Sequence, residues 1–207
     1  LWRWMATYED RTGGRMLTIP HNGNLSNGLM FDDVRLNGDP LDRAYAERRM
    51  RREPIYEITQ IKGDGEAHPL LSPDDEFADY GTWDKGSFGP EPKTADMLPR
   101  EYAREALKRG LASEAKLGVN PFKFGVVGST DTHTALATTQ EDNFFGKATP
   151  AEPSASAHRF NETITGYFQE EGGPDITIRH VQTLAAGLAA VWATDNTREA
   201  IFDGMER

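Results

Sequence analysis

Apolar and polar positions along the chain predict helices and short strands in turn. Leu1-Trp-Arg-Trp-Met-Ala-Thr-Tyr8 reads as a helix already under way, and the pair Gly13-Gly14 punctuates its end. Arg15 to Pro20 reads as a short strand, with His21 just past it and an Asn- and Gly-rich loop from Asn22 to Asn37. Pro40 to Arg52 is expected to be a helix, with Leu41, Ala44, Tyr45 and Arg48 on one stripe. Pro54 to Ile61 combines β-branched and aromatic residues behind an initial Pro, which is a strand pattern. Lys62 to Thr94 is a long irregular stretch rich in Asp, Gly and Pro, a kind of segment that tends to be functional in a compact domain. A helix is expected from Ala95 to about Gly118, with that glycine as its C-cap.

The next apolar run is Phe122, Phe124, Val126 and Val127, expected as a buried parallel strand that ends in Gly128-Ser-Thr-Asp131-Thr-His133. A polar insertion follows to about Gly173. Gly187 to Ala193 is a further strand candidate, and a last helix is expected to begin near Asp195-Asn196. This alternation specifies an α/β fold, either part of a (β/α) barrel or a doubly wound sheet. About four short parallel strands, with long loops at their C-terminal ends, favour the barrel. The chain reads as one partial domain, residues 1–207, cut from a longer protein at both ends, since neither end carries a cap or a loose tail. Its long loop insertions fall at about 62–94 and 134–173.

Charge and composition narrow the function classes. The chain carries a formal charge of −10, so it lacks the global basic field that non-specific nucleic-acid binding needs. The basic run Arg48-Arg-Met-Arg-Arg52 reads as a solvated helix face in preference to an anion-binding patch. No window approaches the roughly eighteen apolar residues of a membrane-spanning helix. No cationic, apolar leader pattern stands at the start, and the compartment stays open. There is no Cys, which leaves His, Asp and Glu as the strong metal ligands.

Residues of those types stand at the ends of the expected strands. An Asp and a His two positions apart in an extended segment point the same way, so Asp131 and His133 suit one metal cluster, with His21 from another strand end. Each has a structural alternative: a hydrogen-bonded loop histidine for His21, an Asx-turn or helix N-cap for Asp131. Glu57 lies inside a strand and either pairs with a cation across the barrel or faces the site. Lys62, Asp64, Glu66 and His68 follow it; Glu66 and His68 are candidates for substrate contact, with solvent exposure the favoured alternative. Asn22, Asn24, Lys62 and Thr132 are placed to orient a substrate. His158 and His180 have no supporting neighbours and are assigned no role.

Four stretches carry a resemblance: Ile19-Pro-His-Asn-Gly-Asn-Leu-Ser-Asn27, Glu57-Ile-Thr-Gln-Ile-Lys-Gly-Asp64, Gly128-Ser-Thr-Asp-Thr-His133 and Ala190-Val-Trp-Ala-Thr-Asp-Asn-Thr-Arg-Glu-Ala200. In their order they resemble the PHP (polymerase and histidinol phosphatase) superfamily, and more closely a large bacterial group of uncharacterised PHP-related proteins. The resemblance implies a distorted, TIM-barrel-like (β/α) barrel that holds up to three divalent transition metals (Zn, Mn or Fe), mostly in phosphoesterases. It implies metal-ligand roles for His21, Asp131 and His133, and contact with a metal ligand or with substrate for Glu57. The His-x-His of the family's first strand, and the His and Glu ligands that follow it, have no counterpart in this chain.

The expectation is therefore a C-terminal-half fragment of a metal-dependent, phosphoesterase-like hydrolase acting on an anionic small-molecule substrate, with a metal-activated water as nucleophile. Taken alone, the fragment is expected to bind metal weakly, to be inactive and to self-associate through exposed strand edges. Hydrolysis of a non-phosphate ester, sulfate or amide is the first alternative, and a non-catalytic binding module on the same fold is the second.

Overall fold

The computed structural model describes residues 1–60, 62–83, 92–133 and 187–207, with the backbone of the strand residues 163–164 and 178–179. Most of the expected 134–173 insertion, together with residues 61 and 84–91, His158 and His180, lies outside the described residues. The architecture is mixed α/β. Helix α1 (Trp2–Thr12) is followed by a 3-10 turn (Gly23–Leu25), α2 (Arg43–Arg52), β1 (Ile55–Gln60) and β2 (Gly63–Asp64). A second 3-10 turn (Leu98–Arg100) leads into α3 (Ala103–Leu117) and β3 (Gly125–Gly128). The short antiparallel pair β4 (Thr163–Ile164) and β5 (Ile178–Arg179) precedes the last helix, α4 (Arg198–Glu206).

Three strands form one sheet in the order β2-β1-β3. β1 runs parallel to β3, pairing Ile55 with Gly125 and Glu57 with Val127, and a register shift lies between Glu57 and Thr59. β2 folds back antiparallel on the end of β1, pairing Gln60 with Gly63. The described sheet is small and is not closed into a barrel. It contains one parallel pair where about four parallel strands were expected.

The core lies where β1 meets α3 and the loop before α2. Phe31, Tyr56, Ala103, Ala106 and Phe122 are buried together, with Met30, Leu41, Ile58 and Phe124 packed against them. Phe31 meets Tyr56 and Phe122 edge-on, at centroid distances of 5.1 and 5.5 Å, the arrangement that the ring quadrupoles favour. On α3 the buried positions Ala103, Ala106, Gly110 and Ser113 are small, so the helix backbone approaches closely. A Cβ on Gly110 would lie 2.2 Å from Asn120 Oδ1, the oxygen that accepts the Phe122 amide. Gly118 ends α3 in the left-handed conformation expected of a glycine C-cap (φ 72°).

Several sequence expectations need correction. Arg15 to Pro20 is not a strand: it is held to its neighbours by single bonds, from Thr18 N to Arg52 O and from Glu57 N to Pro20 O. Gly187 to Ala193 is likewise outside any strand, although Gly128 N donates to Leu188 O and Gly187 N to Ser129 O. β3 is parallel as expected, yet Val126 is 51% exposed. The helix expected from Ala95 begins at Ala103, after the 3-10 turn that Pro99 introduces.

The basic run in α2 also differs from its solvated reading. Ala46, Arg49 and Arg52 form the buried face, while Ala44 and Arg48 of the expected stripe are exposed. Arg49 lies over the Phe122 ring, 4.8 Å from its centroid, and donates to Glu53 and to the Met30 carbonyl. Burial pushes the Glu53 carboxyl up, against the pull of Arg49. Arg52 donates from both terminal nitrogens to the two oxygens of Glu9, each at 2.6 Å, which fastens α2 to α1.

Hydrogen bonding from Arg52 holds the Glu9 carboxyl below its ordinary range. Folding lowers this pKa, so its stabilisation is fully present above the unfolded value of about 4.3 and is lost as pH falls through the folded value. Glu9→Gln is expected to lower the urea midpoint at neutral pH. The gap to the wild type should narrow at about pH 3, measured by urea melts followed by circular dichroism.

Candidate functional site

The parallel pairing of β1 and β3 brings their carboxyl ends to the same side of the sheet, where α/β proteins gather their chemistry. The last residues of β3 are gripped tightly. A Cβ on Gly128 would come within 2.7 Å of Gly187 Cα and 2.9 Å of Thr59 Cγ2, so only glycine lets these backbones meet. Ser129 N donates to Thr59 O at 3.0 Å, and Ser129 O accepts from Gly187 N at 3.1 Å. The Ser129 hydroxyl donates to Glu57 Oε1, and Gln60 Nε2 donates to Glu57 Oε2 at 3.1 Å. Glu57 thus joins β1 to the end of β3 through a hydroxyl and an amide, and the described residues show no cation paired with it.

Beyond Ser129 the chain turns through Asp131, whose φ of +46° is rare for a residue with a side chain. His133 then folds back, its Nδ1 2.8 Å from Asp131 O and 3.9 Å from Asp131 Oδ1. His21 has the same local arrangement, with Nδ1 3.4 Å from Ile19 O. A carbonyl only accepts, so Nδ1 is the donor in both contacts, and in a neutral ring the lone pair then lies on Nε2. This is how the partners of metal-ligating histidines commonly fix ring and tautomer.

Imidazole and carboxylate suit a divalent transition metal by type. By number they fall short. Among the described residues no group of three or more His, Asp or Glu converges on one point, whereas catalytic zinc sites use about three protein ligands. The structure brings Asp131 and His133 together and does not add His21 to them. The described residues alone do not constitute a metal centre.

The other expected site residues belong to a buried polar network beside the end of β1. Asn24, fully buried in the 3-10 turn, donates to the carbonyls of Lys62 and Asp64, and its Oδ1 accepts from Lys62 Nζ at 2.7 Å. Lys93 Nζ donates to the Asn24 carbonyl and, at 3.0 Å, to Glu101 Oε2. Glu101, also fully buried, accepts the Gly28 amide at its other oxygen. Gly23 lets the turn sit here, since a Cβ would lie 2.2 Å from the Tyr56 hydroxyl and 2.5 Å from Glu101 O. Burial pushes the Tyr56 phenol up. Burial also raises the Asp64 carboxyl, against the amides of Glu66 and Ala67 that donate to it.

Glu66 is half-buried and accepts from Arg104 at 2.7 and 2.9 Å, so it serves an ion pair. His68 is buried, contrary to its solvent-exposed reading, with its ring 5.3 Å from Tyr102 and its Nδ1 accepting from Leu70 N. Asn22 precedes the 3-10 turn without capping it through its side chain, and Thr132 sits half-buried between Asp131 and His133. Sequence reasoning missed Ser129, Gln60, Lys93 and Glu101. Ser129 stood inside a quoted motif and Gln60 beside Glu57, but Lys93 and Glu101 gave no signal, since burial of a lone charge leaves no periodicity. A cleft of about 1080 Å³ opens at the opposite end of the sheet, past Pro54 and Gly125, with Arg15, Arg51 and Lys123 among its walls. It contains none of the candidate residues.

The fold and site define a mixed α/β protein with a polar, strained turn at the end of a parallel strand pair. A family model described as "Protein of unknown function (DUF3604)" matches residues 1–207, and the chain belongs to that family. No curated protein and no solved structure gives a significant match.

The positive φ of Asp131 costs stability that glycine would largely recover. Asp131→Gly is expected to raise the unfolding free energy by up to about 1 kcal/mol, measured by urea denaturation. A fall in stability would show instead that the Asp131 side chain carries structural weight.

Proposed function

We propose that the intact protein is a metal-dependent hydrolase acting on a small anionic phosphoester, with His21, Asp131 and His133 contributing part of its ligand set. The observation that supports this reading is the shared orientation of His21 and His133. Each turns Nδ1 to a carbonyl two residues back, which leaves Nε2 as the ring nitrogen for a ligand. The position of Asp131 and His133 beyond the carboxyl end of a parallel strand supports it too, as do the four motifs in PHP-like order. In this reading β1 and β3 are part of a (β/α) barrel, and the remaining ligands come from outside the described residues. A bound metal would supply an acidified water and neutralise charge on the phosphoryl oxygens. The formal charge of −10 argues against a polynucleotide substrate.

A second reading is a binding module on the same fold, favoured by the lack of a three-ligand group among the described residues. Metal analysis and a substrate panel of phosphate, sulfate, carboxylate esters and amides separate the readings. The intact protein is expected to retain stoichiometric Zn, Mn or Fe and to cleave a phosphoester. Asp131→Asn is expected to lose both the metal and at least 100-fold in turnover, on the order of about 3 kcal/mol. Full activity of that variant would sink the hydrolase reading, and metal-free, inactive wild type would favour the module.

The 207-residue chain by itself is proposed to be inactive and to self-associate. Val126 on the edge strand β3 is 51% exposed, and Leu188 and Trp192 in the adjoining segment are 70% and 97% exposed. Light scattering coupled to size exclusion is expected to show a dimer or larger species. A monodisperse monomer at high concentration would contradict this.

A further inference from the structure

Ser129 is the last residue of the β3 end that the sheet holds, and Asp131 and His133 leave from it. Its amide is bound by Thr59 O at 3.0 Å and its carbonyl by Gly187 N at 3.1 Å. Each of those bonds holds one flanking peptide group by a single contact, about which the group can still pivot. The side chain adds a third restraint, because its hydroxyl donates to Glu57 Oε1. Glu57 is in turn held from β1 by Gln60 Nε2 on its other oxygen, at 3.1 Å. Gln60 is buried in the sheet and sits opposite Gly63 in the pairing with β2, so the anchor reaches into the third strand.

We infer that Glu57 is a positioning residue, which through Ser129 sets the direction of the 130–133 turn and so the ring orientation of His133. The inference rests on the reading of Asp131 and His133 as site residues, but its physical content does not depend on a metal. The turn is strained at Asp131, whose φ is +46°, and a strained conformation persists only where its surroundings over-determine it. The bond from His133 Nδ1 to Asp131 O requires the Asp131 carbonyl to face back toward the ring. Rotation at Ser129 would carry the Thr130 and Asp131 peptides with it and turn that carbonyl away. A carboxylate suits the anchor because both its oxygens accept, one from a hydroxyl and one from an amide. Glutamine at this position would still accept from Ser129 at its oxygen and could donate to Gln60 Oε1, which is buried without a hydrogen-bond partner among the described residues. Leucine is therefore the substitution that removes both acceptors. The Thr59 and Gly187 bonds remain in such a variant, so the strands stay paired while the turn loses its third restraint.

The test reads the ring directly in the 207-residue chain. Histidine-selective ¹⁵N labelling and long-range proton–nitrogen correlation, above the imidazole titration range, report which nitrogen of each neutral ring carries the proton. In the wild type His133 is expected as the Nδ1–H tautomer. Glu57→Leu and Ser129→Ala are each expected to shift His133 to a mixture dominated by Nε2–H. The double variant should go no further than either single one, because both remove the same contact. His21, oriented by Ile19 O, should keep its wild-type signal in all three, and Ser129→Thr, which retains the hydroxyl, should restore that of His133. Lower melting temperatures with an unchanged His133 tautomer would overturn the inference and leave Glu57 a structural residue. If Glu57→Leu fails to fold, Ser129→Ala decides alone by the same signal. Failure of the hydrolase reading would appear as missing metal and turnover in the intact wild type, independently of these spectra.

Discussion

The parallel pairing of β1 with β3 is the constraint on which the rest of this structure depends. Roughly sixty-five residues separate the two strands, including α3, so their alignment closes a long loop and must be stabilised from both sides. One stabilising group is the aromatic set of Phe31, Tyr56, Phe122 and Phe124, with the small-residue face of α3 packed near it. The other is the set of backbone bonds at the end of β3, which the glycines at 128 and 187 make sterically possible. Parallel alignment also decides where chemistry can sit, since both carboxyl ends open to one side.

Around that pair the protein buries an unusual share of charge for an acidic chain. Arg49, Arg52, Lys62, Lys93 and Glu101 are all withdrawn from solvent. Burying a charge is costly unless it is paired and hydrogen-bonded; Arg49, Arg52, Lys93 and Glu101 each face an opposite charge, and Lys62 donates to Asn24. Arg49 covers an aromatic face and bonds Glu53, and Arg52 spans to Glu9 on α1. Lys62 and Lys93 converge on Asn24, which ties the 3-10 turn to the segment after β1. The result is a set of directional contacts that fix how irregular segments lie, where apolar packing alone would leave them interchangeable.

The sheet-end site follows the same economy. There His133 is oriented by a carbonyl of its own local backbone, as His21 is at its separate position, and the turn departs from a serine held at amide, carbonyl and hydroxyl. Asp131, with its positive φ, lies two residues beyond that serine. Strain maintained against a rigid background is a feature of sites under functional constraint. It is also why membership of a family of unknown function leaves a definite chemical question at these residues.

The sequence by itself determined the elements whose signals are local. The glycines at 13 and 118 end α1 and α3, β-branched and aromatic residues mark β1, and the Ser-Thr-Asp-Thr-His run marks the end of β3. Pattern overreached at Arg15 to Pro20 and Gly187 to Ala193, where a strand requires a partner ladder that no local composition encodes. It failed at Arg49, Arg52, His68 and Glu101 because polarity is read as exposure, while burial of a charge depends on which distant group arrives to pair with it. Asp131 and His133 were legible as a pair two positions apart. Their coupling to Glu57 through Ser129 was decided by the tertiary structure alone, since a hydrogen bond between two strands exists only once their register is set.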